Sequence, residues 1–114
     1  MIDWQQFNDY YSAFPKDVVK EIIGDFLSQL PGRLQHIHEA HTDVNWQGIK
    51  KEIHQLKGSA SFFFDPTLNE CFFRMEDAIS NRDVAKLNQE YAAFLQSIHL
   101  LESALKDHSE IIIC

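Results

Sequence analysis

One imidazole and three ammonium groups are spaced to act together. From Trp46 to Phe64, the residues Trp46, Ile49, Ile53, Leu56, Ala60 and Phe63 recur at three- and four-residue steps. At about 100° per residue they gather on one face of an α-helix. His54 falls on the opposite side. Lys50 and Lys51 stand four and three residues before it, Lys57 three after it, Gly58 one turn on and Ser61 two turns on. A histidine that takes up a phosphoryl group attacks as neutral imidazole, and nearby positive charge disfavours the protonated ring. The same lysines would offset the charge of the group in transit, since phosphoryl transfer is mostly positioning and electrostatics. Glycine costs a helix interior about 1 kcal/mol relative to alanine. A bare surface that lets another protein approach the ring would account for that cost. Spacing alone fits equally well an exposed histidine beside solvated lysines.

The run His54-Gln55-Leu56-Lys57-Gly58-Ser59-Ala60 resembles the signature of histidine-containing phosphotransfer (HPt) domains, His-x-Leu-Lys-Gly-Ser/Ala-Ser/Ala. Leu68, Phe72, Met75 and Glu76 are similar to the family's next helix, and the length and helical order fit across the whole chain. The resemblance implies that His54 accepts a phosphoryl group from a receiver-domain aspartyl phosphate and passes it to another receiver in a multistep phosphorelay. Lys57, with Lys50 or Lys51, would steady the charge, Gly58 would leave room for the partner, and Ser61 would hydrogen-bond near the phosphoryl site. Phe62, which projects to the same side as His54 and Gly58, would join Gln55 and Glu76 in docking. The implied partners are response-regulator receiver domains and a hybrid sensor histidine kinase. Mg²⁺ would belong to the receiver, so this chain is expected to need no cofactor and to be a carrier without kinase activity or an ATP site. The departure is Phe64, where many members carry a glycine ten residues after the histidine. It bears on the helix end and the local docking surface.

The positioning elements read as helices. Ile2, Trp4, Phe7, Tyr11 and Phe14 predict a short helix over residues 3–13. A second helix, about 16–41, carries Val19, Ile22, Ile23, Phe26, Leu27, Leu30, Leu34 and Ile37 in helical phase. Pro31-Gly32 should kink or break it; the phase survives across the pair, which favours one kinked helix. Asp43 or Asn45 can cap the third helix, which holds His54 and is expected to run to about Phe64. Asp65-Pro66 opens a fourth helix, about 66–80, with Cys71 on its core face. Asn81-Arg82-Asp83 is a turn. The fifth helix places Val84, Leu87, Tyr91, Phe94, Ile98, Leu101 and Leu105 on a seam. The expected fold is all-α, an antiparallel up-and-down four-helix bundle with a short additional N-terminal helix. The Ile111–Cys114 tail can fold over one end of the bundle or make a self-association or partner contact, and the sequence does not decide between them. Phe73 lies off its helix's main stripe and its role stays open.

At 114 residues and 45% hydrophobic, the chain is expected to form one domain over residues 1–114. A net charge of −7 argues against nucleic acid as a partner, which leaves the lysines around His54 as a local positive spot. No apolar run approaches the ~20 residues of a membrane span, and Met-Ile-Asp-Trp lacks the start of a signal peptide. Two cysteines make no disulfide framework, so a monomer in the reducing cytoplasm is expected, either free-standing or part of a hybrid kinase. His38 and His41 form an i, i+3 pair, but a zinc site wants three or four ligands and none joins them. A four-helix metal protein would need Glu-x-x-His pairs that are absent. The rival from another class is an HPt-like adaptor that binds proteins without carrying phosphate.

Overall fold

The computed structural model describes the backbone of residues 1–113 and the side chains of residues 1–108. It contains five α-helices, α1 (Trp4–Tyr11), α2 (Lys16–Thr42), α3 (Trp46–Ala60), α4 (Pro66–Ser80) and α5 (Val84–Ile113), with a 3₁₀ turn at Ser61–Phe63. Helix α2 packs against α3 and α5, and α4 against α3 and α5, so the four long helices close an up-and-down ring. Helix α1 lies across one end, where Phe7 and Tyr11 are buried.

The ring closes because each helix presents one apolar stripe of helical period. Ile49, Ile53 and Leu56 of α3 meet Ile23 and Leu30 of α2, Leu68, Phe72 and Met75 of α4, and Phe94 and Ile98 of α5 in one fully buried cluster. Each such side chain contributes about 1.5–3 kcal/mol by leaving water. This fixes the rotation of α3: turning His54 inward would expose Ile53, its buried neighbour in sequence.

Helices α3, α4 and α5 each start on a side-chain cap. Asn45, not Asp43, caps α3, its side chain accepting from Gly48 N at 3.0 Å. Asp43 instead ends α2. A Cβ at Gly48 would meet the Asn45 amide at 2.7 Å, so glycine there lets the cap fold over the first turn. Asp65 caps α4 through Leu68 N at 3.0 Å, with Pro66 in the first turn. Asp83 accepts from Lys86 N at 3.0 Å at the start of α5.

The second helix is a single one, as the surviving apolar phase favoured: α2 continues through Pro31 from Lys16 to Thr42; the pyrrolidine is exposed, and the helix forgoes one hydrogen bond while Leu34 and Ile37 stay in phase. Two expectations are corrected. Helix α3 ends at Ala60 rather than near Phe64, because the chain tightens into the 3₁₀ turn and Phe64 then reverses it at φ 56°, ψ 52°. Val84 is exposed, since it sits in the first turn of α5 before the seam begins at Leu87. The expectation for the Ile111–Cys114 tail concerns side chains outside the described residues.

Candidate functional site

His54 stands on the outward face of α3, exposed, in the third turn of the helix. Lys50, Lys51 and Gln55 are exposed around it. One turn towards the C-terminus, a Cβ built on Gly58 would meet nothing within 4 Å, so the helix surface there is open. Beyond it Phe62 is 51% exposed, a large apolar group left in water in the turn that follows α3.

The two flanks differ. Towards α4, Lys57 Nζ donates to Glu76 Oε1 at 2.8 Å, both side chains about a third exposed (38% and 32%). This pair borders a cleft of about 300 Å³ lined by Lys57, Phe73, Glu76, Asp77 and Ser80. Towards α2 lies a groove of about 230 Å³, walled by Ile22, Phe26, Phe62 and Phe63 and edged by Asp25, Gln29, Arg33 and Ser59. Arg33 donates to Gln29 Oε1 at 3.0 Å and so holds its guanidinium along that edge. Ser61 is exposed, and its Oγ donates to the Gly58 carbonyl at 2.7 Å, which commits the hydroxyl proton to the helix end.

Helix α1 braces this end of α3. The Tyr11 hydroxyl donates to the Phe62 carbonyl at 2.8 Å, and Asp3 N donates to the Phe64 carbonyl at 2.7 Å. Burial, with Tyr10 adding to it, pushes the Tyr11 pKa up to about 12, so the hydroxyl keeps its proton. The Phe64 ring packs with Tyr10 and Tyr11 at centroid distances of 5.4 and 6.4 Å. The left-handed conformation at Phe64 is the kind that glycine adopts freely, so the backbone reversal is kept here by a phenylalanine anchored under α1.

Sequence reasoning placed His54, Gly58, Phe62 and the lysines on the third helix, and the structure brings Glu76 from α4 to Lys57. It missed the α2 groove with Arg33 and Gln29. Helix periodicity shows which face is polar, but the register between α2 and α3 puts Arg33 beside Ser59, and no local signal carries that register. Phe73, left open, is 73% exposed on the α4 flank. The other imidazoles sit elsewhere. His41 Nε2 is 2.8 Å from Asn88 Oδ1 and its ring stacks on Tyr91 at 4.2 Å, tying α2 to α5. His108 packs against Trp4 and Phe7 at 4.9 and 5.0 Å, under α1, and burial lowers its pKa.

The bundle thus carries on α3 an exposed histidine with lysines around it and an open turn beside it. Comparison with protein-family models matches residues 21–109 to the Hpt domain, and the chain belongs to that family. Hpt domains act in phosphotransfer within phosphorelays, as carrier modules rather than kinases, and interact with receiver domains and kinases. No curated protein and no solved structure gave a significant match. Helix α1 and the first turn of α2 precede the matched residues. Among the described residues, no helix is long and apolar enough to cross a membrane.

Proposed function

We propose that the protein is a phosphorelay intermediate that takes a phosphoryl group onto His54 from one receiver-domain aspartate and delivers it to another. The observation that carries this reading is the exposed imidazole with open helix surface one turn away at Gly58. A receiver docked over α3 brings its aspartyl phosphate in line with the outer ring nitrogen, Nε2. The nitrogen lone pair forms the N–P bond while the P–O bond to the aspartate breaks, its electron pair leaving with the carboxylate; the proton on Nδ1 stays. Lys57 and the exposed Lys50 and Lys51 supply positive charge around the group. Phe62 is the apolar anchor of the docked face, with Gln55 and Glu76 at its rim. Mg²⁺ is supplied by the receiver, and no cofactor by this chain. The carrier works as a cytoplasmic monomer, and a hybrid sensor kinase stands upstream.

A pair of receivers tests the relay. One, phosphorylated, is mixed with the protein, and a second is added after the first has been removed. Label appearing on the second receiver only when wild-type protein is present supports the carrier. Binding of both receivers without any label reaching the protein or the second receiver would replace it with the adaptor reading.

A further inference from the structure

The contact between Lys57 and Glu76 joins the helix that carries the histidine to its neighbour, and it occupies the lysine three residues after His54. Lys57 follows His54 by three residues, so the two side chains emerge as neighbours on the helix surface. Its ammonium is nevertheless committed sideways, to a carboxylate at 2.8 Å on α4. Both groups are partly shielded, at 38% and 32% exposure, whereas Lys50 and Lys51 are exposed.

We propose that Glu76 is a positioning residue that sets how strongly His54 holds a phosphoryl group, by competing with that group for Lys57. This rests on the carrier reading above. In the free protein, Glu76 satisfies Lys57. A phosphoryl group on His54 brings about −1.5 to −2 charge and three acceptor oxygens within reach of the same ammonium. Lys57 then faces two anions, and whatever it gives to Glu76 is withheld from the phosphoryl group. The lysine stem is flexible and its three donors rotate freely, so it needs no carboxylate to find a group one turn away. The net effect of Glu76 is therefore to keep the phosphohistidine labile. That suits an intermediate that must give up its cargo as readily as it takes it. The chemical step is unchanged: N–P formation and P–O cleavage in one direction, the reverse in the other.

The experiment is the equilibrium of phosphoryl groups between a receiver domain and this protein, read by intact mass with Mg²⁺ present, after either partner is loaded first. In Glu76→Gln the neutral amide frees Lys57, and the equilibrium shifts towards phosphohistidine by roughly 2- to 5-fold, the range that a partly exposed ion pair supports. Onward transfer slows in proportion. Glu76→Asp, which keeps the charge, stays near wild type. In a Lys57→Met background the shift caused by Glu76→Gln shrinks to less than half. A structural role would move thermal stability and leave these ratios alone, so circular dichroism melts accompany every variant. An unchanged equilibrium in Glu76→Gln overturns the proposal, as does a shift that persists in full without Lys57. Wild-type protein that takes no phosphate would instead overturn the carrier reading on which it rests, and His54→Gln as control separates the two failures.

Discussion

Gly58 carries the steric half of the proposed site. It lies in the last full turn of α3, exposed, and a Cβ there would touch nothing within 4 Å. Helix propensity therefore acts alone at this position. Gly58→Ala is expected to stabilise the fold by about 0.5–1 kcal/mol in a urea titration, because alanine loses less backbone freedom on folding. A long side chain such as Gly58→Arg should leave stability within about 0.5 kcal/mol of wild type yet weaken receiver binding at least about tenfold, since a tenfold loss needs only about 1.4 kcal/mol of lost contact. Unchanged receiver affinity in that variant, measured by calorimetry, would show that the open turn is not an approach path. A glycine that costs stability where nothing crowds it is legible in the sequence as an anomaly. Its neighbour Ser61 was less legible, because its bond back to the Gly58 carbonyl depends on the helix ending at Ala60.

At the scale of elements, the turns carry the strain. Val44, Phe64 and Arg82 all adopt positive φ, at 50°, 56° and 49°, and none of the positive-φ residues is glycine. After α2 and α4 the left-handed residue is closed by a bond back across the helix end, Asn45 N to the Ala40 carbonyl at 2.9 Å and Asp83 N to the Ala78 carbonyl at 3.0 Å. Phe64 is held differently, by its ring under α1 and its carbonyl on Asp3 N. The left-handed conformation costs a non-glycine residue about 1–2 kcal/mol. Phe64→Gly and Phe64→Ala both lose the ring, but only glycine relieves the backbone. The glycine variant should therefore be the more stable of the two by about 1 kcal/mol in thermal or urea unfolding. Equal stabilities would contradict the strain assigned to this turn. Helix identities were legible throughout, because Ile49, Ile53 and Leu56, or Leu87, Tyr91 and Phe94, repeat with one period. Helix ends were legible where an Asx residue or Pro66 marked them. The end of α3 was not, since Ser61-Phe62-Phe63 continues the apolar phase while the backbone leaves it.

For the molecule as a whole, α1 lies outside the family match, and it is fastened by Tyr11 on one side and His108 on the other. His108 sits on Trp4 and Phe7, where desolvation lowers its pKa below the usual 6.5. The unfolded chain then binds a proton at this ring more readily than the folded chain does. Stability is accordingly full above about pH 6.5 and falls as the pH drops towards the lower folded value. Urea midpoints followed from pH 7.5 down to pH 5 should decline more steeply for wild type than for His108→Gln, which has nothing to protonate. Parallel slopes would show that the ring is not held neutral by its packing. The sequence marks His108 only as a boundary residue, because its contact with Trp4 joins opposite ends of the chain. The same holds for the Lys57–Glu76 pair and the Arg33 edge, which exist only once helices are set in register.

All of these scales converge on His54, and the most direct test is whether that ring takes the phosphoryl group. Wild-type protein and His54→Gln would each be mixed with a phosphorylated receiver domain and followed by intact mass. The expected result is an acid-labile, base-stable adduct on wild type alone, with both proteins equally helical by circular dichroism. An adduct of the same kind on His54→Gln, or none on wild type from receivers that bind it, would contradict the account.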